Sequence, residues 1–334
     1  MVRGLRRAAG GPTRIFFTAD LHGSEPTYRK FLSAAEFYGV DALVFGGDLM
    51  GKLFVPIVRE NGTYRAEFQQ EHHAFDADGL EPFTRSVERT GFYWQVMDRG
   101  AYDAASEDPL VQQGLFQEAA RERLAAWLAM AEDRLAGSKV RLYMTGGNDD
   151  DPAVLEILDR HEGEHVIPCE SRVVELDEEH TMVTVGWSTH TPWDTPREAT
   201  EEEIAGMIEA RVAKVPDVGR CVFNFHCPPK DTPIDTCLKL QDASDLGPGE
   251  LPGPDREGGR FHFIGGGSRA VREAVERYQP VVGLHGHIHE SSGWFRLGRT
   301  RCFNPGSEYV QGRLQGWIVA LRGGRLTGHQ HTWG

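Results

Sequence analysis

The chain has 334 residues, 40% of them hydrophobic and 10% aromatic, the make-up of a globular protein that buries a real core. Its formal net charge is −14, which argues against standing attraction to nucleic-acid backbones or anionic membranes. Acidity therefore disfavours a polymer-wrapping protein and leaves small-molecule substrates open.

The opening Met-Val-Arg-Gly-Leu-Arg-Arg is basic, but no apolar stretch follows it. It reads as a frayed terminus and not as a signal peptide. Apolar runs ending in polar or glycine-rich turns predict strands over Arg14–Thr18, Ala42–Phe45, Val140–Thr145, Arg172–Leu176, Thr181–Val185, Cys221–Phe225 and Val281–Leu284. Helical patterns lie between several of them: Leu115–Leu135, Glu201–Val212, and a third N-capped by Ser268 and stopped by Pro280. Alternating strands and helices predict an α/β layered sandwich of two mixed β-sheets flanked by helices. The later runs Gly293–Phe303 and Trp317–Leu321 suggest that the second sheet is the more antiparallel one. No run of 18 apolar residues occurs, so nothing is expected to span a membrane.

The expected organisation is one domain over residues 1–334 with two additions. Residues 52–116 form an insertion carrying a hairpin over Phe54–Phe68, with Asn61-Gly62 at its turn. Residues 241–267, rich in Gly and Pro, read as a long surface loop or lid. The five cysteines, Cys169, Cys221, Cys227, Cys237 and Cys302, show no paired spacing. They predict reduced thiols and a cytoplasmic setting.

Chemistry is signalled by where ionisable residues fall. Asp20 and His22 follow the first strand, Asp48 the second, and Asn148 with Asp149 the strand over Val140–Thr145; His226 follows Cys221–Phe225, and His285, His287 and His289 follow Val281–Leu284. In layered α/β sheets, ligands bind at the carboxyl ends of strands. Imidazole and carboxylate together suit Mn, Fe, Zn, Ni or Co better than an all-oxygen magnesium cage. Seven candidates (Asp20, His22, Asp48, Asn148, His226, His287 and His289) exceed what one ion takes from a protein, so two ions are expected.

This order, Asp-x-His, Gly-Asp, Gly-Asn, a lone His after a strand, then Gly-His-x-His, resembles the calcineurin-like metallophosphoesterase superfamily. The likeness runs from Asp20 to His289 and continues into Asn304-Pro305-Gly306-Ser307. Around His226 and His287 it is nearest the prokaryotic branch related to Icc-type cyclic-nucleotide phosphodiesterases. The resemblance implies that Asp20, His22 and His289 hold one metal, that Asn148, His226 and His287 hold another, and that Asp48 bridges both. It implies hydrolysis of a phosphodiester, nucleotide-like in preference, by a metal-bridging hydroxide. A phosphomonoesterase or a nuclease would use the same residues. A non-catalytic interaction protein on this fold is the reading from another class. No stable nucleic-acid partner is expected.

One position departs from the superfamily. Many members have a histidine after the Gly-Asn pair, where it contacts the scissile phosphate or protonates the leaving group; here Asp149 stands in its place. An ordinary carboxylate is a poor acid at neutral pH and repels phosphate, whereas burial would raise its pKa. Asp149 and His285 are therefore the candidate catalytic residues, with a loop-bracing role for Asp149 and a core role for His285 as the alternatives.

Overall fold

The computed structural model describes residues 11–241 and 253–334; the basic opening segment and most of the Gly/Pro-rich stretch fall outside the described residues. In chain order the elements begin β1 (Thr13–Thr18), α1 (Glu25–Tyr38), β2 (Ala42–Phe45), β3 (Phe54–Glu60), β4 (Thr63–Phe68), β5 (Glu71–Phe75), α2 (Ala77–Arg89), β6 (Tyr93–Met97), α3 (Arg99–Glu107) and α4 (Pro109–Leu135). They continue β7 (Arg141–Met144), α5 (Pro152–Asp159), β8 (Val166–Pro168), β9 (Val173–Glu175), β10 (Thr181–Val185), α6 (Glu201–Val212), β11 (Cys221–Phe225) and β12 (Thr236–Leu238). The last are β13 (Arg256–Glu257), β14 (Arg260–Phe261), β15 (Phe263–Gly265), α7 (Arg269–Tyr278), β16 (Val282–Leu284), β17 (Gly293–Leu297), β18 (Thr300–Asn304), β19 (Gln315–Arg322) and β20 (Arg325–Trp333).

Two six-stranded sheets face each other. One runs β20-β19-β1-β2-β7-β8 and the other β17-β18-β16-β11-β10-β9. Alternation along the strands builds three layers of core. Ile15, Phe17, Val44 and Tyr143 point between the sheets and meet Met182, Val222, Val282 and Phe303. Phe16, Leu43 and Leu142 point outward onto Phe31, Leu124, Trp127 and Leu158 of the helices on that side. Val183 and Phe223 point the other way, onto Ile204, Ile208, Val271 and Val275 of α6 and α7. These strands are buried on both faces, which is why they read as continuous apolar runs.

The layered α/β architecture is as the sequence predicts, with one correction. β19, which contains Trp317–Leu321, is not in the second sheet; it pairs antiparallel with β1 in the first. The second sheet is parallel across β10, β11, β16 and β18, with antiparallel strands only at its edges. The run Gly293–Phe303 is two strands with a turn at Gly298, not a strand from a separate antiparallel sheet.

The expected hairpin forms, and Asn61 (φ 50°) and Gly62 (φ 82°) both take the left-handed backbone its two-residue turn needs. The stretch over 52–116 holds more than that hairpin. It is a four-stranded sheet, β5-β4-β3-β6, with Val55, Ile57 and Phe68 packed on Phe83 and Val87 of α2. Helix α4 starts six residues before the predicted Leu115, because Asp108 caps Leu110 N at 2.9 Å and Pro109 fits the first turn. The stretch predicted as loop over 241–267 contains paired strands where it is described, β13 with β14 and β15 with β12.

Candidate metal centre

β1, β2 and β7 run parallel in one sheet, and β11 and β16 run parallel in the other. Their carboxyl ends therefore lie together, and the loops leaving them carry the seven residues. Asp20 N donates to Gly47 O at 2.9 Å and His22 N to Asp48 O at 3.1 Å, lacing the first two loops together. Gly286 N donates to His226 O at 2.9 Å and does the same across the other sheet. Two glycines allow this approach. A Cβ on Gly147 would lie 2.1 Å from Asp48 Oδ1, and one on Gly47 (φ 115°) would lie 2.6 Å from His226 Nδ1.

Asp20 (φ 58°), His22 (φ 42°), Asp48 (φ 57°) and His287 (φ 70°) all adopt left-handed backbone conformations. For residues other than glycine this costs on the order of 1 kcal/mol each, and such strain collects at functional sites.

Asp20, His22, Asp48 and His289 offer ligand atoms that all lie within 4.8 Å of one another. His22 Nε2 is 3.0 Å from His289 Nε2 and 3.6 Å from Asp48 Oδ2. His289 Nε2 is 3.6 Å from Asp20 Oδ1. A second group adjoins the first at Asp48: His226 Nε2 lies 3.4 Å from Asp48 Oδ2 and 3.0 Å from Asn148 Oδ1, which lies 2.8 Å from His287 Nδ1.

Surrounding contacts aim these atoms inward. His226 Nδ1–H donates to Gly46 O at 2.9 Å, which leaves the Nε2 lone pair facing Asp48 and Asn148. Asn148 Nδ2 donates to Thr195 Oγ1 at 2.9 Å and to Asp149 Oδ1 at 3.0 Å, turning its carbonyl oxygen toward the two imidazoles. His287 N donates to both Asp20 oxygens at 3.0 and 3.1 Å.

Two imidazole nitrogens cannot face each other at 3.0 Å beside two carboxylates without a cation or a proton among them. Burial lowers the His226 pKa, but Asp48 and then Asp20 outweigh it and carry it up to about 9. Burial and then Lys52 hold His22 well below its usual range. The buried donor set fits divalent cations.

Asp149 and His285 go to different places. Asp149 lies at the mouth of the cluster, with Oδ2 2.7 Å from Lys52 Nζ and 3.7 Å from His22 Nδ1. Burial and the Asp48 charge raise its pKa, and Lys52 opposes them. His285 is fully buried; its Nδ1–H donates to Phe225 O at 2.7 Å, and its Nε2 faces the backbone of Gly283. It turns into the core, and burial holds its pKa down near about 4. His190, on the loop after β10, is exposed and lies 3.5 Å from Glu198.

Several further residues build the centre. Asp150 is buried and accepts from Leu49 N, Met50 N and Gly147 N at 2.9, 2.7 and 2.7 Å, clamping the second loop to the third. The Tyr309 ring lies 4.8 Å from that of His22. Ser307 Oγ donates to Asp20 O at 2.6 Å, so the Asn-Pro-Gly-Ser turn braces the first ligand loop. Lys52, four positions after Asp48, had only that proximity as a signal.

No protein-family model matches the chain. A stretch of 136 residues, 40% of this chain, is 29% identical to the uncharacterized protein MJ1162 of Methanocaldococcus jannaschii and covers 51% of it, so the match spans about half the length of that relative. One solved crystal structure aligns over 97% of this chain and 98% of its own at 14% identity, with a TM-score of 0.57, which shows a shared fold. The Thermus thermophilus protein TT1561 aligns over 97% of this chain and 98% of its own at 13% identity and a TM-score of 0.47. A dimetal phosphatase from Danio rerio aligns over 94% of each chain at 8% identity and a TM-score of 0.43. The chain thus shares a layered α/β fold with a solved structure, and the blocks by which its sequence resembles the calcineurin-like metallophosphoesterases fall, in that order, at the ends of its strands.

Proposed function

We propose that the chain is a dinuclear metal-dependent phosphoesterase that prefers phosphodiesters. One observation carries the reading: seven residues from five strand ends bring their ligand atoms into two largely buried groups that share Asp48. Asp20, His22 and His289 would hold one ion, Asn148, His226 and His287 the other, and Asp48 would bridge. Two ions bound there would supply Lewis-acid stabilisation of the phosphoryl group and lower the pKa of water to make a nucleophile.

The chain's own residues orient and select. Gly46 O and Thr195 fix which atoms of His226 and Asn148 face the reacting centre. Asp149 places a carboxylate at the mouth, partly offset by Lys52. The preference for a diester follows the resemblance of the stretches around His226 and His287 to Icc-type phosphodiesterases. His285 turns inward, so of the two candidate catalytic residues Asp149 is the one beside the reacting centre, where its ion pair with Lys52 favours the carboxylate over the acid.

The test is hydrolysis of bis(p-nitrophenyl) phosphate by purified protein supplied in turn with Mn, Ni, Co, Fe and Zn. Asp48→Ala and His226→Ala should each abolish turnover and lower bound metal below about two ions per chain. Absence of turnover with every metal across diesters and monoesters would overturn the reading.

A further inference from the structure

We propose that Lys52 holds a phosphoryl oxygen at the mouth of the metal centre, and that the cavity beside it seats the uncharged organic part of the ester. This deepens the phosphoesterase reading and rests on it.

Lys52 stands on a braced turn. The backbone before it is pinned by Asp150, and Gly51 N donates to the buried Tyr93 hydroxyl at 2.8 Å. Its ammonium reaches back to Asp149 Oδ2 at 2.7 Å, and the same oxygen lies 3.7 Å from His22 Nδ1. Asp149 is itself held by Asn148 Nδ2. An ammonium has three N–H donors, and Asp149 takes one. The side chain is 44% exposed, so the others are open to an oxyanion arriving at the centre. Asp149 thus acts as a positioning residue for a cation, in the place where relatives carry a histidine.

The same side chain lines a cavity of about 550 Å³ with Leu53, Phe54, Tyr102, Gln113 and Phe116, a volume that suits a small organic ligand. It lies between the start of β3 and helices α3 and α4. Among the described residues, Lys52 is the only charged one in that lining; the others are apolar, aromatic or neutral hydrogen-bonding groups. Leu53 leaves 54% of its surface exposed at the lip. A single cation beside an uncharged, largely apolar hollow matches a phosphate ester of an uncharged, apolar or aromatic alcohol. Its anionic end would meet Lys52 and the metals, and its body would cover Phe54 and Phe116.

The test uses the metal-reconstituted full chain and two non-hydrolysable anions, methylphosphonate and phenylphosphonate, with binding followed by calorimetry. Wild type should bind phenylphosphonate about tenfold more tightly than methylphosphonate, from apolar burial in the cavity. Lys52→Met should weaken both by about tenfold at unchanged metal content, and Lys52→Arg should restore most of the loss. Ser106→Trp, an exposed position in the cavity lining, should erase the preference for the phenyl compound and leave methylphosphonate unchanged. Equal binding by wild type and Lys52→Met, no phenyl preference in wild type, or no binding of either anion would each overturn the inference. Wild-type protein that binds both as expected yet cleaves no ester would instead overturn the hydrolytic reading alone.

Discussion

Gly147 and Asp48 approach so closely that a single methyl group on the glycine would sit 2.1 Å from the Asp48 carboxylate and 2.4 Å from its backbone nitrogen. Neither neighbour is free to yield, since Asp48 Oδ1 accepts from Asp149 N at 3.0 Å and the loop is laced to the first strand end. Gly147→Ala should therefore separate the shared carboxylate from the second group of ligands. We expect less than one ion bound per chain, loss of hydrolysis, and a stability loss of about 1–3 kcal/mol from overpacking. Elemental analysis and urea unfolding check both; full metal content in this variant would contradict the account.

Asp150 acts as a clamp. Replacing it with alanine strands three buried backbone N–H groups, each costing about 1–3 kcal/mol when left unmatched. Asp150→Ala should fall among the most destabilising single changes in the chain. Asp150→Asn keeps the shape but presents an amide NH₂ to at least one of those donors, so it should lie between alanine and wild type in urea midpoint.

The acid limb of stability should depend on Asp177. Burial raises its pKa, but hydrogen bonds from His180, Thr13 and Glu179 outweigh that and hold it well below the usual carboxylate range. The His180 ring suits this role: Nδ1–H donates to Asp177 at 2.9 Å, and Nε2 accepts from Gly324 N at 3.2 Å. A depressed folded pKa means that the stabilisation is complete above the unfolded value of about 3.9 and is lost as pH falls below it. The stability gap between wild type and Asp177→Asn should be constant from about pH 5 to 8 and shrink below about pH 4. A gap independent of pH down to about 3 would count against this.

Thiol chemistry offers a check on the core. Burial pushes the thiols of Cys169, Cys221, Cys227 and Cys302 up to about 12, and that of Cys237 up to about 11. At about pH 8 a maleimide should label the folded chain on the order of a thousandfold more slowly than a free thiol, with half-buried Cys237 reacting first. In denaturant all five should react.

Removing metal should loosen the fold, since ions bind the assembled centre and not the unfolded chain. Each site filled at about a hundred times its Kd adds about 2.7 kcal/mol. A chelator should lower Tm by several degrees, and His226→Ala should show a smaller shift on re-addition of Mn.

The candidate ligands are legible in the sequence because their cause is local. A buried parallel strand reads as an apolar run, and the residues just past its carboxyl end face the site. Lys52 is illegible for the opposite reason: its partner Asp149 lies far along the chain, across two loops that meet only when the sheets form. Helix α1 is not among the predicted helices, although Tyr28, Phe31, Leu32 and Ala35 share its buried face and Gly39 closes it. Helix α2 hides behind Pro82, a residue that argues against a helix, and the cap at Asp76 with burial of Phe83 and Val87 outweighs it. β19 joins the first sheet, which is not legible because Trp317–Leu321 is apolar on both faces and periodicity does not say which sheet such a strand joins.

The pairing of His22 with His289 across 3.0 Å also sets a timetable. During synthesis, Asp20, His22 and Asp48 emerge early, but the group they belong to cannot close until the ribosome has passed His289. The β1–β19 pairing that completes their sheet waits until Leu321 has been added. That group of candidate ligands therefore assembles only after His289 has emerged, and a chain cut short of His289 holds no finished group.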